Sequence, residues 1–136
     1  MAEFALCLSG GGYRAAMFHL GVMTYLNEIR STDGSRLLDH VHTITSISGG
    51  ALPGLLYVVG EKEGNDRIET FRTLYHQLRD NNLGKVLVKR FNTESAKGNS
   101  LIKVLADVYD DIFFHGKLFK DILEFVSWDG FHHFAA

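Results

Sequence analysis

The chain has 136 residues, 46% hydrophobic and 22% charged, enough apolar material to fill one core and so one domain. A formal net charge of −2 without a Lys/Arg stripe excludes nucleic acid as a partner, and the single cysteine, Cys7, excludes a disulfide framework. No run approaches the roughly 20 apolar residues that span a bilayer, and Met1-Ala2-Glu3 lacks the basic start of a secretion signal. A cytoplasmic protein is expected, with peripheral membrane contact left open.

Phe4 to Ser9 read as a strand, apolar nearly throughout, as strands buried on both faces of a parallel sheet are. Cys7 within it reads as a small core residue. Three glycines follow, Gly10, Gly11 and Gly12, and a helix pattern begins at once. Ala16, Leu20, Met23, Leu26 and Ile29 recur at three- and four-residue spacing and predict a helix from about Tyr13 to Arg30. Ser31 to Ser35 form a polar turn cluster. Val41 to Ile47, rich in β-branched residues, predict a second strand. Ser46-Ile47-Ser48-Gly49-Gly50 then carries the chain through a tight turn into a helix over Gly49 to Val59. Pro53 fits there because first-turn amides have no partner inside the helix. Asn65 is expected to cap a helix running to about Asp80. Asn82 to Lys97 is hard to assign. Asn99 or Ser100 caps a helix to about Asp111, a short helix follows over Lys117 to Leu123, and Phe131 to Ala136 read as the start of a strand.

Strand and helix alternate in the first half. The expected fold is α/β, a largely parallel sheet with helices on both faces and right-handed crossovers. The apolar end Phe134-Ala135-Ala136 reads as that of a truncated domain, so residues 1–136 are expected to form a single incomplete domain.

Two junctions carry the chemistry. Backbone amides at a strand–glycine loop–helix junction point into open space, and the helix dipole adds partial positive charge. As an oxyanion hole, the amides of Gly10, Gly11 and Gly12 would take the negative oxygen formed when a serine attacks an ester. As Gly-x-Gly-x-x-Ala, the same residues fit a dinucleotide-binding, Rossmann-like module. That reading wants an acid about 20 positions on, at the end of the next strand. The next strand delivers serines, and Asp33, at the right distance, sits in a turn. A tight turn without a ligand is the third reading. Arg14 in the first helical turn opposes the dipole, which makes sense beside an anion site; otherwise it simply faces solvent. Ser48 between strand and helix suits a nucleophile elbow, which needs small neighbours because strand and helix come close. Its plainer reading is a helix N-cap.

The seven histidines include His19, on the helix after the glycines, and the adjacent pair His132-His133, which on a strand would point to opposite faces. Neither a His-x-x-x-His nor a cysteine-containing metal spacing occurs, so no metal and no cofactor are expected. Aromatics crowd Phe113 to Phe134, either as core or as an acyl-chain pocket or membrane-facing lip.

The two junctions together resemble the patatin-like phospholipases. Gly10, Gly11, Gly12 and Arg14 match that family's Gly-Gly-Gly-x-Arg/Lys-Gly loop, with Ala15 in place of the last glycine. Ser48 and Gly50 match its Gly-x-Ser-x-Gly elbow, with Ser46 in place of the first glycine. Leu8 to Ala15, Phe18-His19-Leu20-Gly21 and Ser46 to Gly50 resemble bacterial members, and the matching stretches cover roughly the first 60 residues. The resemblance implies a patatin-like fold and hydrolysis of a lipid ester through an acyl-enzyme, with Ser48 as nucleophile. It also implies a Ser–Asp dyad whose aspartate sits in a late Asp-Gly-Gly or Asp-Gly-Ala. Here the late Asp-Gly is Asp129-Gly130, followed by Phe131 and close to the serine in sequence. It reads as a turn, or as the dyad acid. In the first case the base would come from a missing C-terminal segment or a partner chain, and the chain alone would be inactive. A non-catalytic lipid- or protein-binding remnant is the remaining alternative.

Overall fold

The computed structural model describes residues 4–94 and 98–117. Strands β1 (Phe4–Leu8) and β2 (Val41–Ser46) pair in parallel, with Leu8 opposite Ser46. Parallel neighbours need a crossover, and α1 (Gly12–Glu28) provides it. Helices α2 (Ala51–Glu63), α3 (Arg67–Asp80), α4 (Leu83–Glu94) and α5 (Leu101–Tyr109) follow, the last opening into a π turn at Asp110–Phe114. The class is α/β, as the alternation predicts.

The predicted apolar stripe builds the core. Ala16, Leu20 and Met23 of α1 are buried with Leu8 and Ile44 of the sheet, Leu52 and Val58 of α2, and Phe71, Leu74 and Leu78 of α3. Leu26 packs half-buried against them. On α2, Gly54 brings the helix onto the strands: a Cβ there would lie 3.2 Å from Leu8 Cδ1 and 3.4 Å from Ile44 Cγ2. Pro53, in the first turn of that helix, is fully buried. Phe113 is buried and Phe114 half-buried against the same cluster, so these two aromatics are core; Phe119, Phe125, Trp128, Phe131 and Phe134 lie outside the described residues.

Several local expectations shift. Cys7 is exposed rather than core. Along β1 burial alternates, and Ala5 and Cys7 lie on a face that no described element covers, while the described helices gather on the face of Leu8 and Ile44. The cap of α3 is Asp66, whose side chain accepts the Glu69 amide at 3.0 Å. Asn65 belongs to the preceding helix end. Gly64 turns left-handed at φ 69°, and the Asn65 amide closes back on the Gly60 carbonyl at 2.9 Å. Helix α2 therefore runs to Glu63, beyond the expected Val59. Residues 83–94, unassigned from the sequence, are helical, started by Asn82 accepting the Lys85 amide at 3.1 Å. Ser100 is the cap of α5. Residues 118–123 of the expected short helix, Asp129, His132, His133 and the expected strand from Phe131 lie outside the described residues. Among the described residues no helix is long and apolar enough to cross a membrane.

A polar clamp ties the chain before β2 to the helical layer. Arg67 donates to both carboxylate oxygens of Glu61, at 2.7 and 2.8 Å, and to Asp39. Its guanidinium sits 5.6 Å from the ring centre of Tyr57, whose hydroxyl burial pushes up to about 12. Partial burial pushes the Asp39 carboxyl upward, but hydrogen bonds from Arg67 and from the Arg36 amide outweigh it and hold the group below its ordinary value. A carboxyl lowered on folding stabilises the fold above the unfolded value of about 3.9, and that contribution fades as pH falls through the lowered one. Asp39→Asn is expected to lower Tm by a few degrees at neutral pH and to flatten the decline in Tm between about pH 5 and pH 2. Thermal melts followed by circular dichroism across that range check it; parallel curves for the two proteins refute it.

Candidate functional site

The parallel register decides where the two junctions emerge. With Leu8 beside Ser46, both strands deliver their following residues to the same sheet edge. Ligands of parallel α/β sheets bind at that carboxyl edge. One further bond, from the Ile47 amide to the Leu8 carbonyl at 3.1 Å, carries the pairing up to the turn.

Ser48 comes next, with φ at 53°. A left-handed backbone on a residue with a Cβ costs on the order of 1 kcal/mol or more and persists only where the surroundings enforce it. The Gly50 amide closes the turn on the Ile47 carbonyl at 3.1 Å, and the chain passes through a 3₁₀ turn, Ser48–Gly50, into α2. The Ser48 side chain is exposed and caps neither the 3₁₀ turn nor α2. The N-cap reading of this serine therefore has no hydrogen bond behind it. Its strain is not offset by a local bond of its own hydroxyl.

Around the serine the backbone is crowded. A Cβ on Gly49 would fall on the Gly12 carbonyl, far inside contact distance. A Cβ on Gly50 would lie 2.5 Å from the Leu8 carbonyl oxygen and 2.7 Å from that of Ser9. On the opposite side, a Cβ on Gly10 would lie 3.3 Å from Ser48 Cβ. The glycine loop and the serine turn are thus in backbone contact, with Ser48 standing over Gly10.

The loop itself needs its glycines for a second reason. Gly11 and Gly12 have φ of 141° and 61°, open to glycine at little cost. Helix α1 begins there without a side-chain cap and without an acid in its first turn. Among the described residues the amides of Gly10, Gly11 and Gly12 donate to no protein acceptor. Arg14 is exposed, one residue beyond Tyr13, and no ion pair holds it among the described residues. The edge therefore presents a hydroxyl, a row of unpaired amides at a positive helix end, and a guanidinium close by in sequence. Ile47, 67% exposed beside Ser48, adds an apolar margin.

Other candidates are engaged elsewhere. Asp33, the acid available to a dinucleotide, accepts from the Ser35 amide at 2.9 Å and from the Ser35 hydroxyl, which hold its carboxyl below the ordinary value. His19 is buried, and its Nε2 meets the Ser9 carbonyl oxygen at 3.0 Å and the Ser9 hydroxyl at 3.2 Å. Among the described residues no group of three His, Cys, Asp or Glu could hold a metal. The left-handed serine and the His19 contact were not legible in the sequence. The glycines after Ser48 hinted at the first, and nothing local signals the second.

Gly49→Ala is expected to cost at least about 1–3 kcal/mol, as overpacking does. Gly21, exposed in the middle of α1 with open space around it, gives the contrast. Gly21→Ala is expected to gain up to about 1 kcal/mol from helix propensity. Urea unfolding measures both; equal effects of the two substitutions would contradict the crowding at the turn.

The family model of the patatin-like phospholipases matches residues 6–131. No curated protein and no solved structure matches the chain.

Proposed function

The chain belongs to the patatin-like phospholipase family, a family of lipid hydrolases, and from that premise we propose that Ser48 is the nucleophile of lipid ester hydrolysis. The observation that carries the reading is the exposed, left-handed, uncapped Ser48 over Gly10, the first of three loop glycines whose amides find no acceptor among the described residues. Strain held at a residue without a local structural reward marks a functional position.

The chemistry follows from these groups. Ser48 Oγ attacks the ester carbonyl carbon, and its proton passes to a carboxylate base. The C=O electron pair moves onto oxygen, and the amides of Gly10, Gly11 and Gly12 receive the negative charge. The oxyanion then re-forms the carbonyl, the bond to the alcohol breaks, and the alcohol leaves with the proton. Water attacks the acyl-Ser48 ester with the same base accepting its proton, releasing the fatty acid and restoring the hydroxyl. Serine at its free pKa is a weak nucleophile, so the base is essential. Asp129 is the candidate within the chain; a carboxylate from a further C-terminal segment or a partner chain is the other source. Arg14 would meet the negative head group or the oxyanion. Ile47 and Phe18, each 67% exposed, suit an apolar substrate or the surface of a lipid aggregate that the protein meets peripherally.

The dinucleotide alternative loses support from Asp33, which is bound within its own turn. A fluorophosphonate probe is expected to label Ser48 and to leave Ser48→Ala unlabelled, read by mass spectrometry of the modified peptide. Asp129→Asn is expected to slow labelling by about 10²-fold or more if its carboxylate is the base. Labelling that persists in Ser48→Ala ends the proposal.

A further inference from the structure

We propose that His19 is a positioning residue that locks the Ser9–Gly10 peptide and thereby aims the Gly10 amide; its effect on catalysis rests on the hydrolase reading above. A carbonyl oxygen only accepts hydrogen bonds. The 3.0 Å contact from His19 Nε2 to the Ser9 carbonyl therefore places the proton on Nε2. The same nitrogen lies 3.2 Å from the Ser9 hydroxyl. His19 is 6% exposed, and the Phe18 ring stands edge-on to its imidazole with 5.4 Å between ring centres.

The Ser9 carbonyl is confined on a further side. Position 50 has room for no Cβ because that atom would stand 2.7 Å from the Ser9 oxygen. The carbonyl is thus fixed between the imidazole and the backbone of Gly50.

This fixes the next amide. The peptide unit is planar and trans, so its C=O and N–H point in opposite directions. A Ser9 carbonyl aimed at His19 turns the Gly10 N–H away from that ring. Without the bond, the Gly50 backbone confines the Ser9 carbonyl on one side only, and Gly10 has no Cβ to restrict rotation toward the other. A rotated unit would aim a carbonyl where the N–H now points and would remove one donor from the loop under Ser48. His19 touches no reacting atom. It acts through Ser9 on the geometry of the amide row.

The test compares His19→Phe, which keeps the ring volume without a donor, with His19→Gln, whose side-chain amide can donate from nearly the same place. His19→Phe is expected to slow fluorophosphonate labelling of Ser48 by about 10²–10³, the loss typical of one oxyanion donor. Thermal melts of the two variants should agree within a few degrees, and His19→Gln should recover most of the labelling rate. Labelling of His19→Phe at the wild-type rate, or equal losses in both variants, overturns the inference while leaving Ser48 as nucleophile. Nitrogen-15 NMR reads the lock without activity. It is expected to show His19 protonated at Nε2 and a Gly10 amide resonance that moves in His19→Phe and returns in His19→Gln. A ring protonated only at Nδ1, or a Gly10 resonance indifferent to both substitutions, overturns the inference even for a chain that the probe never labels.

Discussion

Two stretches of main chain touch at the carboxyl edge of β1 and β2 with no side chain between them. Gly49 lies against the Gly12 carbonyl, and Gly50 against the carbonyls of Leu8 and Ser9. Everything at the candidate site depends on this contact. It brings the serine turn and the glycine loop into direct contact at one sheet edge. It also leaves the chain little freedom around Ser48, so the left-handed φ there has nowhere to relax. Parallel pairing is the precondition. An antiparallel pair would send the segments after β1 and β2 to opposite ends of the sheet.

The cost of that geometry is met away from the site. Ser48 gains no cap bond, and the loop amides gain no protein acceptor among the described residues. What holds them is the packing behind. Leu8 and Ile44 anchor the strand ends, Ala16, Leu20 and Met23 anchor α1, and Leu52 anchors the start of α2. Burying a Leu-sized side chain contributes about 1.5–3 kcal/mol, so a few such residues outweigh one strained backbone. The Arg67 clamp adds a second restraint, joining Asp39 just before β2 to Glu61 on α2. The outer ends of the unit β2–turn–α2 are therefore tied through charge, and its inner part, at Ile44 and Leu52, through the core.

Periodicity made much of this fold readable. The stripe from Ala16 through Leu20 to Met23 and the β-branched run from Val41 are local patterns, and the chain obeys them because the buried face is also the patterned face. Reading failed where a residue had two possible roles. Asn65 is a good cap, but Gly64 draws it into the end of α2 and leaves the capping to Asp66. Residues 83–94 do carry a stripe, Leu83, Val86, Leu87 and Phe91, half-buried at helical spacing, but Gly84 and the exposed Val88 interrupt the pattern; the Asn82 cap and the ion pair from Arg90 to Asp111 at 2.6 Å support that helix. Cys7 looked buried because β1 is apolar on both faces, yet the described helices cover only one of them.

The sequence by itself determined the local grammar of the site: glycines where φ must be positive, a serine after a strand, small residues behind it. It could do so because glycine's freedom at positive φ, at Gly11 and Gly12, and the order of strand, serine and glycines are properties of residues a few positions apart. Tertiary structure alone decided that Gly10 lies under Ser48, that Gly49 meets Gly12, and that His19 reaches back to Ser9. These contacts arise from the register of β1 on β2 and the crossover of α1, which join segments up to about forty residues apart. No local pattern encodes such a distance; it is set by how the buried faces of strands and helices fit together.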